Sequence, residues 1–326
     1  MFQSQLQAWQ LCIVLVFLTL GAFSSAVGLL LMKKSADTES YFPFYHRRLW
    51  FQGFLFLFVN ATVIDLMIFS VTPLAVIAPF SGLTIVFSTL LAHFGYVTAK
   101  EDISASQWKA ISAVCIGVFT ISVSGPRASG EVSNGNIQEL VFSRSFEALA
   151  VVSILGIVVS LAALLLYGGR DRDGKDGKDA LSENYYVILL AYGSASCGAM
   201  SQLCLKVVSM ELNPAKQADG ANWDWNTFAC GLAGLAVFAP LQLYMLNSTL
   251  VISPTSYAVP LYQTLLVLLS ILAGGTFFKE FAAVSTDSFV VFIAGVVLAL
   301  AGLERLTSAK SQNDVGENER LLRPEP

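Results

Sequence analysis

The sequence predicts an all-α polytopic membrane protein of about nine transmembrane helices, arranged as two inverted-topology repeats of four and five spans. Three observations predict it. Only 13% of the 326 residues are charged while 55% are apolar, against about 25% charged in soluble domains. The mean hydropathy of +0.65 leaves more apolar side chain than one water-facing domain can bury, so the surplus faces lipid. The apolar residues are gathered into long runs, and two of these runs, each carrying a pair of prolines, resemble one another.

The runs, in order, are 11–32, 49–69, 73–97, 108–124, 148–167, 185–205, 228–246, 254–278 and 288–303. A helix of about 20 apolar residues crosses a bilayer, so most runs qualify outright and the two shortest sit at the lower limit. The first run follows an uncharged Met1–Gln10 and lacks a small-residue cleavage site, so it reads as a retained span rather than a signal peptide. Trp9, Trp50, Trp108, Trp223 and Trp225 lie at or near the starts of runs, where indole sits at headgroup level. Cys12, Cys115, Cys197, Cys204 and Cys230 all fall inside runs and read as packing residues, with neither a disulfide frame nor zinc-ligand spacing.

Orientation follows from the basic residues. With the N-terminus outside or lumenal, the cytosolic segments hold Lys33, Lys34, Arg47, Arg48, Lys100, Lys109, Arg170, Arg172, Lys175, Lys178, Arg305, Lys310, Arg320 and Arg323. The opposite side keeps only Arg127, Arg144, Lys206, Lys216 and Lys279. This asymmetry places the C-terminus in the cytosol. Scattered positive charge of this kind excludes a nucleic-acid partner. Residues 168–179 alternate charge sign and glycine and read as a disordered linker. Their aspartates suit calcium poorly, because interleaved Arg and Lys repel a cation.

Pro73-Leu-Ala-Val-Ile-Ala-Pro79 followed by Leu90-Leu-Ala resembles Pro254-Thr-Ser-Tyr-Ala-Val-Pro260 followed by Ile271-Leu-Ala. Each stretch ends in a Lys-Glu pair, Lys100-Glu101 and Lys279-Glu280. These are the third and eighth runs; an odd separation makes them cross in opposite directions, the pattern of inverted repeats that give alternating access. The chain then divides into a first repeat (1–130), a connecting loop, fifth span and charged linker (131–180), the rest of the second repeat (181–304) and a disordered cytosolic tail (305–326). Proline removes a helical hydrogen bond and frees the carbonyl four residues earlier, so Pro73, Pro79, Pro254 and Pro260 are helix-break candidates that free Phe69, Ala75, Leu250 and Ser256.

Asp65 is the only carboxylate well inside a run, and an intramembrane acid is a functional hypothesis by default. On an α-helix Thr62 shares its face one turn before and the Phe69 carbonyl one turn after. Such oxygens suit a hard cation that keeps part of its water shell, so Asp65 and Thr62 are the candidate metal contacts. Asp65 also suits a protonatable transport carboxylate, and a plain interhelical hydrogen bond is the structural alternative. Gln202, Gln242, Asn247 and Gln263 extend a polar pathway or act as interhelical glue. Lys206 reads as a snorkelling end-of-span residue, and His93 as a satisfied interfacial one.

No enzyme signature is present: there is no Gly-x-Ser-x-Gly, P-loop or HExxH, and two histidines leave little for metal or nucleophile chemistry. The chain is not expected to be an enzyme or to carry a cofactor. In the tail, Glu317 followed four residues later by Leu321 and Leu322 fits the acidic dileucine pattern read by vesicle-coat adaptors. It implies residence in the endosome-lysosome system or at the plasma membrane. A homodimer is left open.

The second repeat resembles the NIPA-type magnesium transporters of the drug/metabolite transporter superfamily. The residues concerned are Leu241-Gln-Leu-Tyr-Met-Leu-Asn-Ser-Thr-Leu250, Val259-Pro-Leu-Tyr262 and Leu268-Leu-Ser-Ile-Leu-Ala-Gly-Gly-Thr-Phe-Phe-Lys-Glu-Phe281. They are similar to that family's Leu-Asn-x-Ala-Leu, Val-Pro-Val-Tyr-Tyr and Phe-Lys-Glu stretches. Gly198-Ala-Met-Ser and Lys206 match its sixth-span pattern, and the resemblance runs with gaps over nearly all nine spans. It implies Mg²⁺, or another divalent cation, as the transported ion, with the lipid bilayer as the standing partner. An organic-solute exchanger, such as a nucleotide-sugar or metabolite carrier, is the alternative within the superfamily. One departure bears on the ion: where the family carries Gly-Glu-x-x-Asn, this chain has Ala61-Thr62-Val-Ile-Asp65, so its carboxylate stands one turn further along.

Overall fold

A computed structural model describes residues 2–39, 41, 46–96, 103–126, 140, 142–167, 180–212, 224–252, 255–282 and 284–321. The regular structure among them is entirely helical. The elements are α1 (Phe2–Thr38), α2 (Arg48–Val59), a π-helical turn (Asn60–Asp65), α3 (Leu66–Phe69), α4 (Leu74–Ile77), a 3₁₀ turn (Ala78–Phe80), α5 (Ser81–Phe94), α6 (Ala105–Ser124), α7 (Arg144–Tyr167), α8 (Ala180–Glu211), α9 (Trp225–Ile252), α10 (Thr255–Phe277) and α11 (Thr286–Leu321).

Among the described residues, seven helical stretches are long and apolar enough to cross a membrane: Cys12–Met32, Leu74–Phe94, Ala105–Ser124, Arg144–Leu165, Tyr185–Glu211, Trp225–Thr249 and Thr286–Leu306. The other two runs take different forms. The second is helical from Arg48 to Phe69 but is interrupted by the π turn at Asn60–Asp65. The eighth contains Leu261–Phe277 as a shorter apolar helix.

Local chemistry explains where the rods begin and end. Ser104 accepts from the Gln107 N–H while the Gln107 side chain accepts from the Ser104 N–H, a reciprocal cap that starts α6. Gly95, at φ 69°, closes α5 in the left-handed conformation that glycine adopts without strain. Asp224 caps α9 by accepting from the Asn226 and Thr227 amides. Between α1 and α2, the Glu39 carboxylate accepts from the Leu49 N–H, so the end of α1 and the start of α2 lie at one end of the bundle.

Two expectations from the sequence change here. Pro260 does not break its helix, because α10 runs through it from Thr255 to Phe277; so close to the helix start, the proline removes a single bond, the one to the Ser256 carbonyl, with only one turn of helix before it. Pro240 inside α9 is likewise absorbed. Pro254 lies outside the described residues, as does the 168–179 linker. The tail expected to be disordered from 305 continues as backbone helix to Leu321: Ala309, Lys310, Gln312, Glu317, Glu319 and Arg320 are good helix formers, and no proline intervenes before Pro324.

The buried centre is shared by α4, α5, α6, α8, α10 and α11. Lipid supplies no hydrophobic drive between helices, so they are held by close packing and hydrogen bonds. α8 is the hub, packing on α7, α9 and α10. Its run from Gly193 to Ala199 is buried, and small side chains there let three neighbours approach. α1 crosses α2 at Gly28 and Gly53, where a Cβ on Gly53 would stand 2.5 Å from the Gly28 carbonyl oxygen. α6 packs along α11, and α4 against α10. By contrast Val151, Leu155 and Val158 on α7 and Leu232, Val237 and Leu243 on α9 are exposed, the apolar surplus that composition assigned to lipid. Trp9, Trp108 and Trp225 are exposed near helix ends, as an interfacial role requires.

Candidate functional site

The break between α3 and α4 organises one end of the bundle. α3 stops at Phe69, and the Val71 and Thr72 amides both turn back to the Ile68 carbonyl. Pro73, with φ −57° and ψ 138°, then starts α4 in an extended conformation. The helix thus ends before Pro73 instead of being bent by it. At the start of α4, the Leu74 and Ala75 amides have no carbonyl a turn earlier to bond, the usual deficit of a helix N-terminus.

Glu280 supplies what is missing. Leu74 N donates to Glu280 Oε1 at 2.6 Å and Ala75 N to Oε2 at 2.9 Å. A carboxylate on a helix N-terminus gains from charge-assisted bonds and from the helix dipole. Glu280 reaches this place because the chain reverses after α10: Lys279 adopts φ 52°, so the next residue folds back over Gly274. A Cβ on Gly274 would stand 2.6 Å from Glu280 Oε2 and 3.0 Å from the Leu74 Cβ, so glycine leaves the space that the carboxylate occupies.

Lys206 completes the group. Its Nζ lies 2.6 Å from Glu280 Oε1, with the two side chains only 8% and 5% exposed, and 4.3 Å from the centre of the Phe278 ring. The snorkelling role expected of Lys206 is thereby corrected: its charge points inward, because a carboxylate and an aromatic face are available there. Sequence reasoning missed Glu280 as a site residue. The Lys-Glu pair closing each repeat and the Phe-Lys-Glu resemblance were its signals, but Glu280 lies outside the apolar run, so it did not read as an intramembrane acid.

Asp65 ends the π turn. It is partly buried, and among the described residues its carboxylate has no hydrogen-bonding or charged partner. The π geometry alters the face argument. In such a turn the N–H of residue i+5 bonds the carbonyl of residue i, so position 65 stacks over Asn60 and the α-helical register with Thr62 is lost. Asn60 is buried; its Nδ2 donates to Ser25 Oγ at 2.9 Å while its Oδ1 has no partner. Asn60 is thus a buried amide at the start of the turn that ends in Asp65, and Thr62 lies on the backbone of the same turn.

The remaining candidates separate. The Gln263 side-chain amide donates to Ser81 Oγ, which in turn donates to the Ala78 carbonyl at 2.7 Å. This links α10 to the 3₁₀ turn at Pro79. The Gln242 amide donates to the Tyr262 hydroxyl, and Ser194 Oγ donates to the Gln242 carbonyl at 2.9 Å, tying α8, α9 and α10. Gln202 Oε1 is buried without a partner. Asn247 is exposed, on the face of α9 that also carries exposed Leu243 and Tyr244, so the structure does not bring it to Gln263. Phe69 is buried at the end of α3, and Ser256 stands in the first turn of α10. Glu317 and Leu321 lie on the α11 backbone; Leu322 is outside the described residues. Among the described residues no cluster of three or more His, Cys, Asp or Glu could hold a metal ion, so a cation at Asp65 would be met by one carboxylate, neutral oxygens and its own water.

A profile of the magnesium transporter NIPA family matches residues 24–312. The chain belongs to that family. It is a multi-pass membrane protein, and the family's work is magnesium transport, not catalysis. Two curated relatives, both from Arabidopsis thaliana, agree. The probable magnesium transporter NIPA1 is 22% identical over 265 residues, covering 81% of this chain and 73% of its own. The probable magnesium transporter NIPA7 is 21% identical over 264 residues, covering 81% and 75%. No solved structure matches. The matched region includes α2 through α10 whole, and so both the Asp65 turn and the Lys206–Glu280 pair.

Proposed function

We propose that this NIPA-family protein moves Mg²⁺ across its membrane by alternating access, through a pathway between two inverted repeats, with Asp65 as the central cation contact. The observation that carries the reading is the state of Asp65: a carboxylate within an apolar rod, partly buried and without a partner among the described residues, on a π turn. Intramembrane acids are costly and π turns are frequent at functional sites. A hard cation with part of its water shell would supply the missing partner, with Asn60 Oδ1, at the start of the same turn and unbonded among the described residues, as a second oxygen.

Helix pairing supports the repeat. α1 packs on α2 and α5 as α8 packs on α9 and α10, and α5 packs on α6 as α10 packs on α11. The pairs α6–α11 and α4–α10 lie where the two sets meet. On this reading residues 1–130 carry four spans and 131–304 five, with the N-terminus outside or lumenal and the C-terminus cytosolic. The cytosolic tail, with Glu317, Leu321 and Leu322, then serves as the signal for a vesicle-coat adaptor, and residence is endosomal-lysosomal or at the plasma membrane.

The test is metal-resolved flux in proteoliposomes. Asp65→Asn should abolish Mg²⁺ uptake while the protein remains in the membrane. Wild-type flux in that variant overturns the assignment.

A further inference from the structure

We propose that Lys206 and Glu280, docked on the Leu74 and Ala75 amides, form a latch that closes the pathway at the end of the bundle where α1 begins. The proposal rests on the carrier reading above. Its place in the fold follows from the chain: Glu39 holds the end of α1 beside the start of α2. The far end of that rod, Phe69, is therefore at the other end of the bundle, and it leads within five residues to Leu74.

Three features distinguish a latch from a static tie. First, the tie is made by two side chains and two backbone amides. Leu74 and Glu280 are 206 residues apart, and Lys206 and Glu280 are 74 apart, so three helix ends meet without any chain connection forcing them together. Every bond in the group is polar and can be exchanged for water on opening, which interdigitated apolar packing cannot do.

Second, the rod that the latch holds is segmented. α4 has four residues, is preceded by the extended Pro73 and is followed by the 3₁₀ turn at Ala78–Phe80. Segment ends of this kind absorb backbone rotation when a domain moves. The latch grips this short buried piece, and the Gln263–Ser81 bond anchors the rod below it.

Third, each element of the latch carries, within about a turn in sequence, a buried polar atom without a partner among the described residues. Gln202 Oε1 lies one turn before Lys206 on α8, Ser270 Oγ one turn before Gly274 on α10, and Thr72 Oγ1 two residues before Leu74. A static core pairs such groups, because leaving them dry is costly. Beneath a gate they are accounted for, since the open state gives them water. The same three elements that the latch joins therefore each bring one polar group to the region it seals.

The test uses the full chain with its five native cysteines replaced and Ser270→Cys introduced. A membrane-impermeant maleimide is applied to each side of the membrane in turn, in magnesium-free buffer. Ser270 is fully buried with the latch closed, so the reference chain should label slowly and only from the side where α1 begins. Lys206→Met and Glu280→Gln should each raise that rate about tenfold. The Lys206→Glu/Glu280→Lys exchange should label as fast as the single variants, because an ammonium cannot accept from the α4 amides. Gly274→Ala, which keeps both charges while crowding the carboxylate and the Leu74 side chain, should also accelerate labelling. It keeps the test standing if a charge variant does not fold. Unchanged rates in folded variants, or labelling without side preference, overturn the latch. Because the assay contains no magnesium, faster labelling together with absent Mg²⁺ flux would support the latch and overturn the cargo instead.

Discussion

Lys206 Nζ stands 2.6 Å from Glu280 Oε1, and the same carboxylate takes the Leu74 and Ala75 amides. Each charge is thus buried only in company. Removing one partner strands the other, which costs about 3–5 kcal/mol for a buried pair. Lys206→Met is expected to lower thermal stability in detergent by an amount of this order. Glu280→Gln should do so as well, since a carboxamide has one accepting oxygen for two amides. The exchanged pair Lys206→Glu/Glu280→Lys should not recover wild-type stability, although it keeps opposite charges at these positions. Full recovery would mean that the pair matters and the helix N-terminus does not.

The two sites differ in how legible they were from sequence. Composition and run length gave the helices because lipid leaves a one-dimensional signal: about 20 apolar residues in a row. Asp65 was conspicuous for the same reason, as the charge that the run could not explain. Its surroundings were not. The π turn inserts a residue into the register, and nothing in Asn60-Ala-Thr-Val-Ile-Asp65 announces that, so a face argument built on α-helical spacing does not carry over to it. Glu280 was hidden by position: it lies beyond the apolar run and is carried back inside by a single left-handed residue, Lys279. Burial of that kind is tertiary and leaves no periodicity to read.

Asn60 offers a direct test of the cation contact. Its Oδ1 is buried without a protein partner, while its Nδ2 bonds Ser25. Asn60→Leu keeps the volume, loses one hydrogen bond worth about 1 kcal/mol, and relieves an unpaired acceptor. Stability should therefore change little. Concentration-dependent Mg²⁺ uptake should show a KM raised severalfold, with kcat less affected, because an oxygen is lost from the site. Unchanged KM would remove Asn60 from the pathway.

Gln263 and Ser81 connect the eighth run to the 3₁₀ turn at Pro79. Ser81→Ala leaves the buried Gln263 amide without its acceptor, at a cost of about 1–3 kcal/mol. Adding Gln263→Leu removes the stranded group and should restore part of the loss. A double-mutant cycle on unfolding temperatures measures the coupling, and strict additivity would show that the contact contributes nothing.

Gly53 faces the Gly28 carbonyl oxygen, which an added Cβ would approach to 2.5 Å. Backbone cannot swing aside as a side chain does. Gly53→Ala must therefore push α1 and α2 apart, with an overpacking cost of about 1–3 kcal/mol. The measurement is the thermal midpoint and the folded yield in detergent, both expected to fall while Asp65 and the latch are untouched.

Gly274→Ala separates the position of the latch carboxylate from its charge. The added methyl would stand 2.6 Å from Glu280 Oε2 and 3.0 Å from the Leu74 Cβ, so two neighbours compete to move. If the carboxylate yields, the bond from Ala75 is lost and Lys206 keeps its partner; if α4 yields, both amide bonds lengthen together. Either way the expected loss, about 1–3 kcal/mol, is smaller than that of removing a charge. Glu280→Asp shortens the arm by one methylene and by itself should weaken the reach to both amides. In the Gly274→Ala background the same shortening makes room for the methyl. The double variant should therefore be more stable than the sum of the single effects predicts. A sum without that excess would show that the methyl is accommodated by moving α4, and that the glycine serves the α4–α10 contact and not the carboxylate.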